Sequence, residues 1–308
     1  GGVRLTMVFD AAKSVRRDID DLGLLPQQRE LIDTLTSTPG GLVLLAAQPG
    51  QGRTTTLYTT VQQHDAYTQN VQLFEIEPQS QIEGIRQEVF VPGSGPEFSL
   101  QLRTLLRRDP DVVGVAELPD TDTAVEAASG DLSRSRVYLS VKAEDALTAT
   151  QLFTKAVGDA SKASEVLKVV VAQKLARKLC DNCRVPYAPP PEMLKKLGLP
   201  AGKVKQLFKK GGQVLIRNKP EVCPICQGIG YSGQIGLFEV FPIEDSEKAL
   251  IATQDWAGLR ASWRKRQLPT IQQAALRKAV EGLTTVEEVT RVTAPKKKSG
   301  SKPRQASS

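Results

Sequence analysis

Four short apolar runs, separated by segments of helical length, are the feature that most restricts the fold of this 308-residue chain. Each run has the length and the character of a buried strand, and the longer segments between them have room for helices. Strands that alternate with helices favour an α/β domain with a largely parallel sheet. The predicted strands cover residues 41–47, 71–76, 112–116 and 137–141, and the predicted helices cover about 27–35, 100–107, 121–128 and 143–157.

The first apolar run ends in a glycine-rich turn, and a threonine-rich segment of helical length follows it. A strand, a turn and a helix in this order form a phosphate cradle, because the N–H groups of the turn and the helix N-terminus point at the anion. The usual pattern is G-x-x-x-x-G-K-[ST], but here Ala47 stands at the first glycine and Arg53 at the lysine. Taken alone, the window is almost equally consistent with an ordinary Gly-Pro turn.

Within this window the glycines still allow the backbone to approach a phosphate closely. Arginine can hold a phosphate, but its planar fork is less suited than the compact lysine ammonium to follow the γ-phosphoryl group during transfer. The hydroxyl of Thr54 is in the position that binds Mg²⁺. The candidate nucleotide-binding residues are Gly50, Gln51, Gly52, Arg53, Thr54 and Thr55.

A longer motif follows in residues 102–124, which read L-R-T-L-L-R-R-D-P-D-V-V-G-V-A-E-L-P-D-T-D-T-A. This resembles the Walker B region of the ATPases of type II secretion and type IV pilus assembly, which is close to L-R-x-x-L-R-x-D-P-D followed by G-E-x-R-D-x-E-T-A. The resemblance implies that Glu117 is the catalytic carboxylate, which orients water or holds the Mg²⁺ shell, with Arg53 as the second catalytic candidate. Arg103 and Arg107 match basic positions and are candidates for phosphate or intersubunit contacts, with ordinary surface arginines as the alternative.

Several departures from this family pattern fall on residues of the chemistry. The acidic segment, close to I-E-D-P-x-E in the family, is E-I-E-P-Q at residues 75–79 and keeps Glu77 as a candidate contact. Both histidines of the family's histidine segment are missing, and Lys142 stands at the second and is a further candidate contact. The single histidine, His64, lies elsewhere and is predicted to be a surface residue. The five departures, which predict weakened or lost hydrolysis, are Ala47, Arg53, Gln79, Pro119 and Lys142.

Two C-x-x-C pairs mark a different part of the chain, where proline and loop residues become frequent after residue 178. Four thiolates form a closed tetrahedral zinc site, which stabilises a region with little core of its own. Two disulfides are the alternative, typical of secreted chains, and a redox role for one pair is a further one. The spacer of 39 residues between the pairs is long for a compact zinc ribbon. The candidate metal ligands are Cys180, Cys183, Cys223 and Cys226.

The resemblance extends in collinear order over about residues 20–292, and further family segments surround both cysteine pairs. It implies a RecA-like P-loop NTPase core with a tetracysteine zinc subdomain and a C-terminal helical region. Of the family's N-terminal domain, at most the last strand is expected, at residues 3–9. The predicted parts are a remnant or linker (1–20), the RecA-like nucleotide-binding core (21–178), the zinc subdomain (179–242), the C-terminal helical subdomain (243–293) and a disordered basic tail (294–308).

The net charge of +7 argues little for nucleic acid binding, because five lysines and arginines and no acid lie in residues 294–308. The rest of the chain therefore carries about +2. This end is rich in proline, serine and lysine and is predicted to be disordered. Contact with anionic lipid or with a partner protein is the alternative hypothesis. Aromatic residues, which stack on bases, make up 5% of the chain. The sequence therefore predicts no specific nucleic acid partner.

The function that the resemblance implies is that of an ATP-binding motor subunit with ATP, Mg²⁺ and Zn²⁺ as cofactors. Such a subunit works in a homo-hexamer, or in a mixed ring with a paralogous ATPase, and moves an inner-membrane platform protein. The alternative is an inactive nucleotide-binding or structural paralogue in such a complex. The apolar runs are too short to span a bilayer and no secretory signal pattern opens the chain, which predicts a cytoplasmic protein, with peripheral attachment at the inner membrane left open.

Overall fold

The computed structural model describes residues 18–93, 95–200, 202 and 204–294. The predicted remnant strand at residues 3–9 and residues 295–308 of the predicted tail lie outside this described part. The chain forms two compact units. Of the described residues, those in 18–178 and 233–277 belong to the first unit, and those in 179–232 and 278–294 belong to the second.

The elements follow one another along the chain in an order dominated by strand–helix alternation up to residue 166. They are a 3-10 helix (Ile19–Leu22), α1 (Pro26–Ser37), β1 (Gly41–Ala46), α2 (Arg53–Val61), β2 (Val71–Glu75), β3 (Arg86–Val89), α3 (Phe98–Leu106), β4 (Val112–Val115), α4 (Thr121–Ala127), β5 (Arg136–Val141), α5 (Ala146–Val157), α6 (Ala160–Val166), β6 (Leu167–Leu179), β7 (Val185–Tyr187), α7 (Pro191–Lys196), β8 (Leu207–Lys209), β9 (Gln213–Ile216), β10 (Lys219–Val222), β11 (Tyr231–Pro242), α8 (Asp245–Ala252), α9 (Trp256–Lys265), α10 (Ile271–Val280) and α11 (Val286–Thr293).

The first unit is built on a seven-stranded sheet with the order β11-β6-β1-β5-β4-β2-β3. Strand β1 pairs in parallel with β5 and β6, and the strands from β5 through β4 and β2 to β3 are also parallel to one another. Every residue of β1, β2, β4 and β5 is buried. Parallel strands covered on both faces have this near-continuous apolar sequence, which is why the runs were recognisable. The predicted α/β class and largely parallel sheet are confirmed.

Aspartates start three of the helices that connect these strands. The side chains of Asp120, Asp145 and Asp159 each accept a hydrogen bond from the backbone N–H three residues further on, at the starts of α4, α5 and α6. Such a cap satisfies a free N–H of the first turn and stabilises a helix by about 1 kcal/mol. The predicted strands and helices of the first unit are all present, with bounds that differ by a few residues.

Other strands were not predicted, and β6 is the longest of them. Its thirteen residues mix valine with lysine, arginine, glutamine and alanine, and their burial does not alternate regularly. Residues of weak strand preference become strands where neighbours cover them, and β6 lies between β1 and β11.

The prediction that His64 lies on the surface is wrong. Its side chain is 7% exposed, and its Nε2 atom lies 2.8 Å from the hydroxyl of Tyr138 on β5. Burial and the nearby positive charge of Arg136 lower the pKa of His64 to about 4. A polar residue just beyond α2 is buried here because the tyrosine hydroxyl supplies its hydrogen bond, a long-range pairing that sequence spacing does not reveal.

The second unit contains two small antiparallel sheets, β7 with β8 and β9 with β10. A small apolar core consists of Leu194, Val204 and Leu207, and partly buried side chains, among them Val280 and Val286, pack against it. The four cysteines form a separate buried cluster. This apolar cluster is small, which agrees with the expectation that the cysteine region has little core of its own.

Candidate functional site

The candidate site lies at one edge of the parallel sheet, where the carboxyl ends of the strands meet. Ligands of open α/β sheets bind at this edge. The glycine-rich turn follows β1, Glu117 follows β4 by two residues, and Lys142 comes directly after β5. The acidic segment with Glu77 follows β2. Parallel pairing therefore brings four separate sequence motifs to one edge.

Two glycines give the turn after β1 its shape. Gly50 and Gly52 have φ angles of 73° and 78°, in the left-handed region, and Gly52 is the N-cap of α2. A Cβ atom on Gly52 would lie 3.1 Å from Nε2 of Gln173. A side chain at this position would therefore be strained in its backbone and crowded against β6, whereas glycine fits.

The turn is also attached to β6 through Gln51. Nε2 of Gln173 donates to the carbonyl oxygen of Gln51 at 2.7 Å, and the N–H of Leu175 donates to Oε1 of Gln51 at 2.9 Å. The N–H of Gln51 donates to the carbonyl oxygen of Gln48 at 3.1 Å. The polar groups of Gln51 thus fix the turn. Sequence reasoning did not assign Gln173 to the site, and its only signal was the family-like segment that begins at that residue.

Arg53 and Glu117 form the charged centre of the site, and both side chains are partly buried. Burial lowers the pKa of Arg53, and the negative charge of Glu117 acts in the opposite direction. Burial raises the pKa of Glu117, against the effects of the Ile76 N–H and of the charge on Arg53. Oε2 of Glu117 accepts a hydrogen bond from that N–H at 3.2 Å. A partly desolvated cation and carboxylate at a glycine turn suit a phosphate and its metal ion.

Thr54 lies beside the acidic segment rather than in open solvent. Nε2 of Gln79 is 3.4 Å from Oγ1 of Thr54, at the long limit of a hydrogen bond. Glu77 is exposed, Thr55 is partly buried on α2, and Lys142 is exposed. On this side of the Thr54 hydroxyl the family pattern has an acid, whereas this chain has the amide of Gln79.

A buried carboxylate next to the site was not predicted. Glu75 ends β2 and is fully buried, and its oxygens accept hydrogen bonds from the Tyr58 hydroxyl at 2.5 Å and from Nε2 of Gln87 at 2.8 Å. Burial and the hydrogen bond to Glu75 raise the pKa of Tyr58. In the sequence, Glu75 was visible only as an acid at the end of an apolar run. That pattern also fits an ordinary solvent-exposed strand end.

The two candidate arginines of α3 have different surroundings. Arg103 makes a two-pronged ion pair with Glu126 of α4, with its Nε atom 2.8 Å from a carboxylate oxygen. This pair raises the pKa of Arg103 and lowers that of Glu126. Arg107 is exposed at the end of α3, and its charge also lowers the pKa of Glu126. Arg103 therefore joins two helices of its own subunit.

The four cysteine sulfurs lie within 4.8 Å of one another and are buried. The Sγ atoms of Cys180 and Cys223 are 3.8 Å apart, and those of Cys183 and Cys226 are 3.5 Å apart. Four sulfurs at about 2.3 Å from a central zinc are about 3.8 Å apart, whereas a disulfide needs about 2.05 Å. The geometry therefore fits a tetrahedral metal site and contradicts the disulfide alternative.

Hydrogen bonds to the sulfurs also suit metal-bound thiolates. Nδ2 of Asn182 donates to Sγ of Cys223 at 3.3 Å, and the N–H of Gly230 donates to Sγ of Cys226 at 3.2 Å. The Asn182 amide is the main cause that lowers the pKa of Cys223 to about 6, while burial raises the pKa of Cys183 to about 12. Such outer hydrogen bonds orient metal ligands and stabilise their charge.

Comparison with known proteins gives one consistent result. The family model described as Type II/IV secretion system protein matches residues 2–291. The chain is 32% identical over 292 residues to Type II secretion system protein E of Pectobacterium carotovorum, which covers 95% of this chain and 56% of that protein. It is 32% identical over 297 residues to the type IV pilus assembly ATPase PilB of Pseudomonas aeruginosa, with 95% and 50% covered. The chain thus spans about half the length of these relatives.

Two solved structures share the fold. The pilus retraction motor PilT with bound ADP superposes with a TM-score of 0.63 at 17% identity and covers 92% of this chain and 68% of that one. The ATPase DotB of Legionella pneumophila has a TM-score of 0.62 at 13% identity, with 90% and 65% covered. Among the described residues, no helix has both the length and the apolar character needed to cross a membrane.

Proposed function

Since the chain belongs to the type II/IV secretion system protein family, we propose that it is an ATP-binding subunit of a motor for protein secretion or pilus assembly. The observation that carries this proposal is the meeting of the glycine turn, Arg53, Thr54 and Glu117 at the carboxyl edge of the sheet. The relatives named as secretion protein E and PilB support it, and so does the fold shared with ADP-bound PilT.

In this proposal the residues divide the work between phosphate and metal. The α2 N-terminus, with Gly50, Gly52 and Thr55, holds the phosphates, and Arg53 adds a cation. Thr54 and Glu117 would hold Mg²⁺, which when bound would supply positive charge to offset the negative charge of the phosphates. Glu117 also orients the attacking water. Since burial raises its pKa, its carboxylate is a stronger base than an exposed one.

Weakened hydrolysis is part of the proposal. Arg53 replaces a lysine, Gln79 places an amide rather than an acid near the Thr54 hydroxyl, and Lys142 stands where the family has a histidine. Each change alters a polar or charged side chain of the proposed site rather than a residue of the hydrophobic core. The second candidate function, a nucleotide-binding or structural paralogue without turnover, is favoured by the same three residues.

We also propose that the cysteine cluster binds Zn²⁺ as a structural ion. All four thiolates act as ligands, which leaves no open position for catalysis. The sulfur distances and the N–H···S bonds support the site. In the second unit, which has a small apolar core, the ion would supply much of the folding free energy.

The remaining assignments follow from family membership. We propose a cytoplasmic subunit, free or peripherally attached at the inner membrane, in a homo-hexamer or in a mixed ring with a paralogous ATPase. The ring would act on an inner-membrane platform protein, and no specific nucleic acid partner is proposed. Arg107 remains available for contacts between subunits, since it is exposed. The division into nucleotide core (21–178), zinc subdomain (179–242) and helical subdomain (243–293) stays a prediction.

The deciding experiment measures Mg-ATP turnover by the zinc-loaded protein against Glu117→Gln as the blank. Glu30→Gln, which removes an exposed carboxylate from α1, is the matched control. Turnover that is lost in Glu117→Gln and kept in Glu30→Gln supports the motor subunit. Equal turnover in wild type and Glu117→Gln rejects hydrolysis, and ADP titration then tests nucleotide binding.

A further inference from the structure

We propose that Tyr58 and Glu75 are positioning residues that hold the segment after β2 against α2, and that they thereby set how strongly Mg²⁺ improves nucleotide binding. This inference rests on the proposed nucleotide site, which it deepens. Neither residue is among the nucleotide-binding or metal-binding candidates that the sequence predicted.

Tyr58 lies on the face of α2 that also carries Thr54. Thr54 and Tyr58 are four residues apart and therefore lie on the same side of the helix. Both contact one residue of the following segment: Nε2 of Gln79 reaches Oγ1 of Thr54 at 3.4 Å, and the N–H of Gln79 donates to the Tyr58 hydroxyl at 3.1 Å. The candidate Mg²⁺ ligand and the tyrosine thus share a neighbour.

The carboxylate of Glu75 holds the Tyr58 side chain in place. The Tyr58 hydroxyl donates to one oxygen of Glu75 at 2.5 Å, so the same hydroxyl accepts from Gln79 and donates to Glu75. The other oxygen of Glu75 accepts from Nε2 of Gln87 on β3 at 2.8 Å. Because Glu75 is fully buried, the loss of either partner leaves a desolvated oxygen unsatisfied.

Gln87 also forms hydrogen bonds with the backbone of the segment after β2. Its Nε2 atom also donates to the carbonyl oxygen of Ser80 at 2.9 Å, and its Oε1 atom accepts from the N–H of Ile82 at 2.8 Å. Together with the Tyr58 contact, the network holds the backbone at residues 79, 80 and 82. At its start the segment donates from the Ile76 N–H to Glu117 at 3.2 Å.

The segment therefore lies between the two groups proposed to hold Mg²⁺, Thr54 and Glu117, and its own position depends on Tyr58 and Glu75. Removal of the Tyr58 hydroxyl should leave the phosphate contacts of the glycine turn intact. It should release the segment and with it the geometry of the metal ligands. The expected effect is on the gain in affinity that Mg²⁺ provides, not on metal-free binding.

The test is ADP titration of Tyr58→Phe with Mg²⁺ and with a chelator. We expect unchanged ADP affinity in the chelator and a loss of the Mg²⁺-dependent gain by about 5–10-fold, the effect of one or two hydrogen bonds. Tyr67→Phe is the matched control, because Tyr67 is 93% exposed and loses the same atom. Backbone hydrogen exchange without nucleotide should rise at residues 79–82 in Tyr58→Phe only.

An exchange of amide and carboxylate tests the pairing of Glu75 with Gln87 directly. Glu75→Gln places two amides next to each other, and Gln87→Glu places two carboxylates next to each other. Each change should therefore reduce the gain in ADP affinity that Mg²⁺ provides. In the double variant Glu75→Gln/Gln87→Glu, the amide at 75 donates to the carboxylate at 87 and Ile82 keeps its acceptor, while the carbonyl of Ser80 loses its donor. We expect this variant to bind with more of the Mg²⁺-dependent gain than either single variant, and with less than wild type.

The outcomes separate this inference from the function on which it rests. If wild type binds ADP with a Mg²⁺-dependent gain and Tyr58→Phe shows the same gain, the inference is overturned and the proposed function stands. A double variant no better than the single changes also counts against the pairing. If wild type does not bind ADP at all, the proposed function fails, and this inference fails with it.

Discussion

The Nε2 atom of Gln173 donates a hydrogen bond of 2.7 Å to the carbonyl oxygen of Gln51, and this bond joins the candidate phosphate turn to strand β6. The two residues are 122 positions apart in the chain. Gln173 is 4% exposed and Gln51 is partly exposed, so the bond is partly buried. The conformation of the turn therefore depends on a strand outside the strand–turn–helix motif itself.

The variant Gln173→Ala should weaken nucleotide binding without any change to a phosphate contact. The turn loses one of its two hydrogen bonds to β6. A small cavity also opens beside Gly52, because the Nε2 atom of Gln173 lies 3.1 Å from the position that a Cβ atom on Gly52 would take. We expect ADP affinity to fall about 5-fold and the free energy of unfolding to fall by about 1–2 kcal/mol. Gln62→Ala, at an exposed position after α2, is the control. Unchanged ADP affinity in Gln173→Ala would show that the turn holds its shape without β6.

Replacement of Arg53 by lysine should raise ATP turnover. The lysine ammonium is a compact charge that follows the transferred group, and the other proposed catalytic residue, Glu117, lies at the same edge of the sheet. We expect an increase of about tenfold or more in kcat for Arg53→Lys, and a loss of nucleotide affinity for Arg53→Gln, which removes the charge. Steady-state turnover and ADP titration measure the two effects. A kcat for Arg53→Lys no higher than wild type would assign the weakness to the other departures.

The sequence predicted four of the seven strands of the sheet and the motifs at its edge, because both are local patterns. Residues 41–46 form an unbroken apolar run, and a buried parallel strand requires such a run. The cysteine cluster was predictable for a different reason: a closed zinc site needs four ligands, so the two C-x-x-C pairs were expected to meet, although Cys180 and Cys223 are 43 positions apart. In each case a short stretch of sequence determines the chemistry.

The parts that could not be predicted are long-range pairings of polar residues. Gln173, Tyr58 and Glu75 belong to segments whose sequence fits a solvent-exposed role equally well. Their partners are set by the sheet order, which places β6 beside β1 and β3 beside β2. His64 was assigned to the surface for the same reason, since nothing near it in the sequence announces the hydroxyl of Tyr138.

Each of the four cysteines should be equally necessary for the stability of the second unit. If they hold one zinc ion, the wild-type protein contains about one zinc per chain, and Cys183→Ser or Cys226→Ser removes a ligand and most of the affinity. We expect loss of zinc and unfolding of residues 179–232 at a lower temperature, with hydrogen exchange as the local measure. Ser232→Ala, an exposed hydroxyl in the same unit, is the control. Wild-type protein that is free of zinc and equally stable with a chelator would reject the site.

The buried pair of His64 and Tyr138 should make the first unit less stable in mild acid. Burial first, and then the charge of Arg136, lower the pKa of His64 from 6.5 to about 4, while a hydrogen bond with Gln69 acts in the opposite direction. Between these two pH values the unfolded chain binds a proton that the folded chain does not. The free energy of unfolding therefore falls as the pH decreases from 6.5 to 4, by about 3 kcal/mol in total.

The variant His64→Gln isolates this effect, because an amide can keep the contact with the Tyr138 hydroxyl but does not titrate. Carboxylates titrate in both proteins and cancel in the difference. Denaturant unfolding at pH 7.5, 6 and 5 should show wild type losing stability relative to His64→Gln by up to about 1.4 kcal/mol per pH unit below pH 6. Parallel stability curves for the two proteins would mean that His64 keeps an ordinary pKa, and that the folded chain admits a proton, and with it water, beside Tyr138.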